Sequence, residues 1–103
     1  MLMLITYDVN TTTPAGAKRL RQVAKLCEKY GIRVQNSVFE VLVDGAQLVT
    51  LKAKLRELID EDEDSVRLYR LGNSYEHKIE AMGRVPLIPV SYTHLTLPTM
   101  AVV

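Results

Sequence analysis

A single cysteine, Cys27, rules out a disulfide within the chain, and two isolated histidines, His77 and His94, offer no Cys/His zinc cluster. No apolar run approaches the roughly 18 residues needed to cross a bilayer. No basic stretch precedes the short apolar run at the N-terminus, as a secretory leader requires. Net charge is also nearly absent, at a formal +1 from 13 Lys and Arg against 12 Asp and Glu. These absences lead to the expectation of a soluble, cytoplasmic protein in a reducing compartment, with no membrane partner. What is present is ordinary globular material. The 103 residues are 48% hydrophobic and 24% charged, enough for one compact domain with its own core and too apolar for a disordered chain.

The distribution of charge says more than its total. Between positions 15 and 33 lie Lys18, Arg19, Arg21, Lys25, Lys29 and Arg33 against the single acid Glu28. Between positions 57 and 64 lie Glu57, Asp60, Glu61, Asp62, Glu63 and Asp64 with no base. A clustered base calls for an anionic partner, and separated charge steers association. Solvated helix surface is the competing reading of both runs. The acids have two further readings: they keep a duplex off that edge, or they meet a basic partner.

The run Leu2–Asp8 is apolar on both alternating faces, with Leu2 and Leu4 on one and Met3, Ile5 and Tyr7 on the other, which predicts a strand covered on both sides. A polar loop with three threonines follows. Thr13 as N-cap and Pro14 in the first turn predict a helix over 15–30, with Leu20, Val23, Ala24, Cys27 and Tyr30 inward and Gly31 as terminator. Lys18, Arg21, Lys25 and Lys29 then form a cationic stripe on its opposite side. Cys27, on the inward face, reads as a small core hydrophobe and not as a reactive thiol. The β-rich stretch that follows is long for one strand, so it is read as two, 33–36 and 38–43, bent at Asn36-Ser37. Asp44 caps a second helix over 46–59, whose Leu48, Leu51, Leu55 and Leu58 face inward. A strand over 66–71, a turn at Gly72-Asn73 and a further short element over 76–82 complete the reading.

Strand, helix, strand, strand, helix, strand is the order of a ferredoxin-like α+β unit, βαββαβ, with both helices on one face of an antiparallel sheet. The second face would stay open, yet the first strand is apolar there too. A second copy is the economical cover, which predicts a homodimer joined through the sheet faces about a two-fold axis.

Three stretches carry a family resemblance: LITYDV at 4–9, KRLRQVAKLC at 18–27 and RVQNSVFE at 33–40. Asp60-Glu61, DSVRLY at 64–69 and LGN at 71–73 fit the same pattern. Together they resemble the small CRISPR-associated adaptation proteins, the Cas two family, over residues 1 to about 84. The Arg-x-Gln-x-Ser-Val-Phe-Glu string is the specific part; the strand-ending Tyr-Asp is weak alone. The resemblance implies a ferredoxin-like homodimer at the centre of the spacer-integration complex, held between pairs of the Cas one integrase and contacting protospacer duplex. It also implies magnesium-dependent cleavage of single-stranded RNA or double-stranded DNA, with manganese as a substitute ion. The family's metal aspartate matches Asp8, and other residues tied to cleavage match Tyr7, Arg19, Arg21, Arg33 and Phe39.

The chemistry of these residues is compatible with those roles. Asp8 ends a strand, where a rigid scaffold holds functional groups. Magnesium keeps several waters and often takes one or two carboxylates plus a substrate phosphate, so two copies of Asp8 near a two-fold axis would make a site. An Asx turn into the Asn10 loop is the competing reading. Arg19, Arg21 and Arg33 suit bidentate contacts to phosphate, with Lys18 and Lys25 beside them. Solvation, or ion pairs with the acidic run, is their alternative. Nothing points to the reading of base edges, so contacts should be backbone-directed and salt-dependent. Tyr7 and Phe39 lie in strands and read as packing residues before stacking platforms. Ser37 has no histidine near it and reads as a bend residue.

The C-terminal stretch departs from the family. Members continue past a glycine like Gly83 into a loop with proline and aspartate, and end in an apolar strand that adds to the partner's sheet and helps dock the integrase. Here residues 90–99, VSYTHLTLPT, resemble translated sequencing-adapter DNA. The chain is therefore read as a domain over 1–84 and an atypical tail over 85–103 that is non-native read-through. Two function classes follow: an assembly scaffold holding protospacer phosphates, and a metal-dependent endoribonuclease or double-stranded DNA nuclease acting through Asp8. A toxin-like RNA-cleaving protein of similar fold ranks below both.

Overall fold

The computed structural model describes residues 1–83; the expectations for the tail fall outside them. The elements run β1 (Leu2–Asp8), α1 (Pro14–Cys27), β2 (Gly31–Gln35), β3 (Val38–Leu42), α2 (Gly45–Leu58) and β4 (Ser65–Gly72). The strands form one antiparallel sheet in the order β2-β3-β1-β4, so the expected βαββαβ fold is the one observed.

Both helix starts form as their sequences dictate. Thr13 accepts from the Gly16 amide at 3.0 Å, with Pro14 opening α1. Asp44 and Gln47 form a reciprocal capping box on α2, at 2.7 and 3.0 Å. Gly16 lies so close to the preceding loop that a Cβ there would sit 1.8 Å from the Asn10 carbonyl oxygen.

Three local expectations fail. Helix α1 stops at Cys27 and not at Tyr30, and residues 28–30 turn into β2. Gly31 is not a helix terminator but the first residue of β2, where a Cβ would meet the Glu40 carbonyl oxygen at 1.8 Å. Close approach of two strands, and not helix capping, explains that glycine. The stretch 76–82 holds no helix or strand; it makes a turn in which the Lys78 amide donates to the Tyr75 carbonyl at 2.9 Å.

The core lies between the sheet and the two helices. Met3, Ile5 and Tyr7 of β1 and Phe39 and Val41 of β3 meet Leu20, Val23, Ala24 and Cys27 of α1 and Leu48, Leu51 and Leu55 of α2. Burial pushes the Cys27 thiol up to about 12, which keeps it unreactive. Among the described residues no helix or strand covers the opposite face. There Leu4 lies opposite Glu40 on one side and Tyr69 on the other, and Thr6 opposite Val38 and Arg67. Leu4, Thr6, Val38 and Glu40 are half-buried.

Candidate nucleic-acid and metal site

Alternation along β1 separates two neighbouring functional candidates. Tyr7 points into the core and is 2% exposed, whereas Asp8 emerges on the open face and is exposed. Asp8 pairs in register with Ser65 of β4, and lines a shallow depression of about 360 Å³ with Thr6, Tyr7, Ser37, Ser65 and Arg67. Its carboxylate has no hydrogen-bond or ion-pair partner among the described residues. The Asx turn is made instead by Asn10, whose Oδ1 accepts from the Thr12 amide at 3.0 Å and the Thr12 hydroxyl at 2.6 Å. The loop's own polar side chain does the turning and leaves Asp8 free.

The cations divide into two groups. Lys18, Arg21 and Lys25 are exposed on α1 and Lys29 in the turn after it, and none has a side-chain hydrogen bond or ion pair among the described residues. Arg21, Lys25 and Lys29 continue onto Arg33 of β2 along a groove of about 380 Å³. Arg33 is fixed there: its Nε donates to the Asn36 carbonyl at 2.8 Å, and its guanidinium lies 5.9 Å from the centre of the Phe39 ring.

Arg19 belongs elsewhere. Its Nε and Nη2 donate to the two carboxylate oxygens of Asp64 at 2.8 and 3.1 Å. The Tyr7 hydroxyl donates to the same carboxylate, and the Asp60 amide does so at 3.0 Å. Burial raises the Asp64 carboxyl, but the bonds from Arg19, Tyr7 and Asp60 outweigh it and leave the group below its ordinary value. Burial, reinforced by Asp64, raises the Tyr7 phenol to about 12. Of the two readings open to Arg19, the ion pair with the acidic run is the one formed.

The residues expected to act together are thus only partly assembled. Asp8 and the free cations are solvent-facing; Tyr7 and Phe39, at 2% and 0% exposure, are packing residues in the core between sheet and helices. Arg67 and Asp64 were not singled out by sequence. Strand alternation carried back from Leu68 and Val66 reaches Asp64 as an inward position, and that signal could have separated it from the solvated acids before it. Among the described residues no group of three or more His, Cys, Asp or Glu could hold a metal ion. No helix among them is long and apolar enough to cross a membrane.

A four-stranded antiparallel sheet with two helices on one face and a free aspartate at the end of its first strand defines a small ferredoxin-like α+β protein. The family model described as CRISPR associated protein Cas2 matches residues 1–79, and the chain belongs to that family. It is 60% identical over 88 residues to the CRISPR-associated endonuclease Cas2 of Halalkalibacterium halodurans, covering 85% of this chain and 92% of that one. It is 53% identical over 87 residues to a CRISPR-associated endoribonuclease Cas2 of Rhodospirillum rubrum, covering 84% and 92%. The crystal structure of Streptococcus pyogenes Cas2 at pH 6.5 superimposes with a TM-score of 0.76 at 57% identity, over 81% of this chain and all of that one.

Proposed function

We propose that this chain acts in CRISPR spacer acquisition as a homodimer joined through the open sheet faces. It holds the protospacer duplex by its phosphates and presents it to the Cas one integrase. The supporting observation is the row of unpaired, exposed cations Lys18, Arg21 and Lys25 on α1 and Lys29 just past its end, continued by Arg33 along one groove. A cationic row on a single helix face tracks a phosphate backbone without reading its bases. Arg19, tied to Asp64, is left out of that set. Reversing charge at Arg21 and Lys25 together tests it. Affinity for a short DNA duplex should fall at least about tenfold at low salt, and the salt dependence should flatten by about two ions. Unchanged affinity with intact circular dichroism would remove the α1 track from the reading.

The free Asp8 favours a second activity, metal-dependent cleavage of a phosphodiester in RNA or DNA. The relatives named endonuclease and endoribonuclease support it, as does a depression that sets Asp8 beside Arg67 and the hydroxyls of Thr6, Ser37 and Ser65. The donor set is all oxygen, which suits magnesium or manganese better than a soft metal. One carboxylate per chain is an incomplete set, so Asp8 from each of two copies would hold the ion. Such an ion supplies positive charge to a phosphoryl oxygen and acidifies its bound water. Asp8 orients that ion, and Arg67 offers a guanidinium to the phosphate.

A further inference from the structure

Directly behind Asp8, on the core side of the sheet, lies a buried polar cluster that the proposed chemistry does not use. Its centre is Asp64, whose side chain is 0% exposed. Four donors reach its carboxylate: the Tyr7 hydroxyl, Arg19 Nε and Nη2, and the Asp60 amide. These donors come from β1, α1 and the turn after α2, so one carboxylate joins three elements. The turn itself is closed by the Asp64 amide donating to the Asp60 carbonyl at 2.7 Å.

The chain neighbours of this cluster are the functional candidates. Tyr7 precedes Asp8, and Asp64 precedes Ser65, which pairs with Asp8 across the β1–β4 ladder. Because side chains alternate, the Tyr7–Asp64 contact and the Asp8–Ser65 pair lie back to back on the same two strand ends. We infer that Asp64 is a positioning residue for Asp8: by gripping Tyr7 and Arg19 from within the core, it fixes the end of β1 against β4 and so sets where the Asp8 carboxylate stands. This inference rests on the reading of Asp8 as a metal-holding group.

One general argument and one observation favour positioning over mere filling of space. An apolar side chain would fill the same volume without desolvating a charge, and buried ion pairs are seldom better for stability than such a replacement. A fully satisfied polar network instead imposes one geometry on the groups it joins. The observation is the burial of Tyr7. Its phenol faces away from the open side of the sheet, so Tyr7 does not touch a substrate held at Asp8 and acts on it only through the strand end that Asp64 grips.

The test uses the full chain with Tyr7→Phe and Asp64→Asn, cleavage of a short single-stranded RNA, and Mn2+ binding followed by electron paramagnetic resonance. All are measured well below the unfolding temperature of each variant. Tyr7→Phe keeps the carboxylate, its Arg19 pair and the Asp60 bond, and so remains informative if Asp64→Asn fails to fold. Positioning requires Tyr7→Phe to lower kcat about tenfold with KM unchanged and to weaken Mn2+ binding to a similar extent. Wild-type kcat and Mn2+ affinity in a folded Tyr7→Phe protein of lower melting temperature would overturn it. Asp8→Asn separates the two claims. If Asp8→Asn abolishes cleavage and Mn2+ binding while Tyr7→Phe leaves both intact, the positioning role alone is lost; if Asp8→Asn changes neither, the metal reading and the inference fall together.

Discussion

Glu40 and Asp64 are both carboxylates withdrawn from water, and their surroundings drive them in opposite directions. Asp64 is met by four donors and titrates below its ordinary value. Glu40 sits between Leu4 and Ile32 on the open sheet face with no partner among the described residues, and burial raises its carboxyl. The stability that Asp64 contributes is therefore present above its unfolded value, 3.8, and is lost as pH falls through the lower folded one. For Glu40 the sign is reversed. Its ionised form costs folding energy above the raised folded value, and that cost disappears as pH falls toward the ordinary 4.5. Replacing Glu40 by glutamine should accordingly raise the melting temperature at about pH 7 and have little effect at about pH 4. Thermal denaturation at the two pH values decides, and an equal gain at both would refute the burial cost. Neither residue announced itself by composition. Asp64 was the last of six acids in a run that charge counting assigns to solvent, and only its place in the strand alternation turns it inward. Asp8 was legible through the family resemblance and its place at a strand end, and alternation along β1 sets it on the face opposite Tyr7.

Elements were legible where a local rule decides them and obscure where a distant contact does. Thr13 and Asp44 cap their helices through bonds spanning three residues, so both starts could be read directly. The end of α1 and the role of Gly31 depend on β3, because the Glu40 carbonyl occupies the space a side chain at 31 would need. The same contrast yields a prediction among the glycines. A Cβ at Gly16 would collide with the Asn10 carbonyl at 1.8 Å, whereas one at Gly45 would meet nothing within 4 Å. Gly16→Ala should destabilise the fold by about 1–3 kcal/mol, since the β1–α1 loop must be pushed off the helix. Gly45→Ala should be neutral or stabilising by up to about 1 kcal/mol, because alanine restricts the unfolded chain and suits a helix. Urea unfolding of the two variants is the measurement. A Gly16→Ala protein as stable as the wild type would mean that the loop is not packed where it is described. Displacing that loop would also shift the end of β1, so the cost at Gly16 extends to the placement of Asp8.

At the scale of the whole molecule, the cationic row of α1 and the open sheet face lie apart. The cations of α1 lie on the helical side of the sheet, and Leu4, Ile32, Val38 and Leu42 lie on the other around Glu40, so a duplex held along α1 need not compete with a second copy for one surface. Half-buried aliphatic side chains on a sheet face that no helix or strand among the described residues covers are what a self-complementary interface requires, and a two-fold axis through that face would bring the two Asp8 residues toward one another. Leu4→Lys tests this without threatening the protomer. The lysine would stand opposite Glu40 on the neighbouring strand, a favourable cross-strand pair in the free chain, and Tyr69 on its other side tolerates a long stem. In a face-to-face dimer the ammonium and its Glu40 partner would both lose water at the contact, a cost their attraction does not recover, and association should weaken by about a hundredfold or more. Sedimentation of the full chain at micromolar concentration, with circular dichroism as the control for folding, should then find monomers where the wild type gives dimers. A folded Leu4→Lys protein that still sediments as a dimer would move the interface off the open face. It would also leave the single carboxylate of each Asp8 without the second one that the metal reading needs.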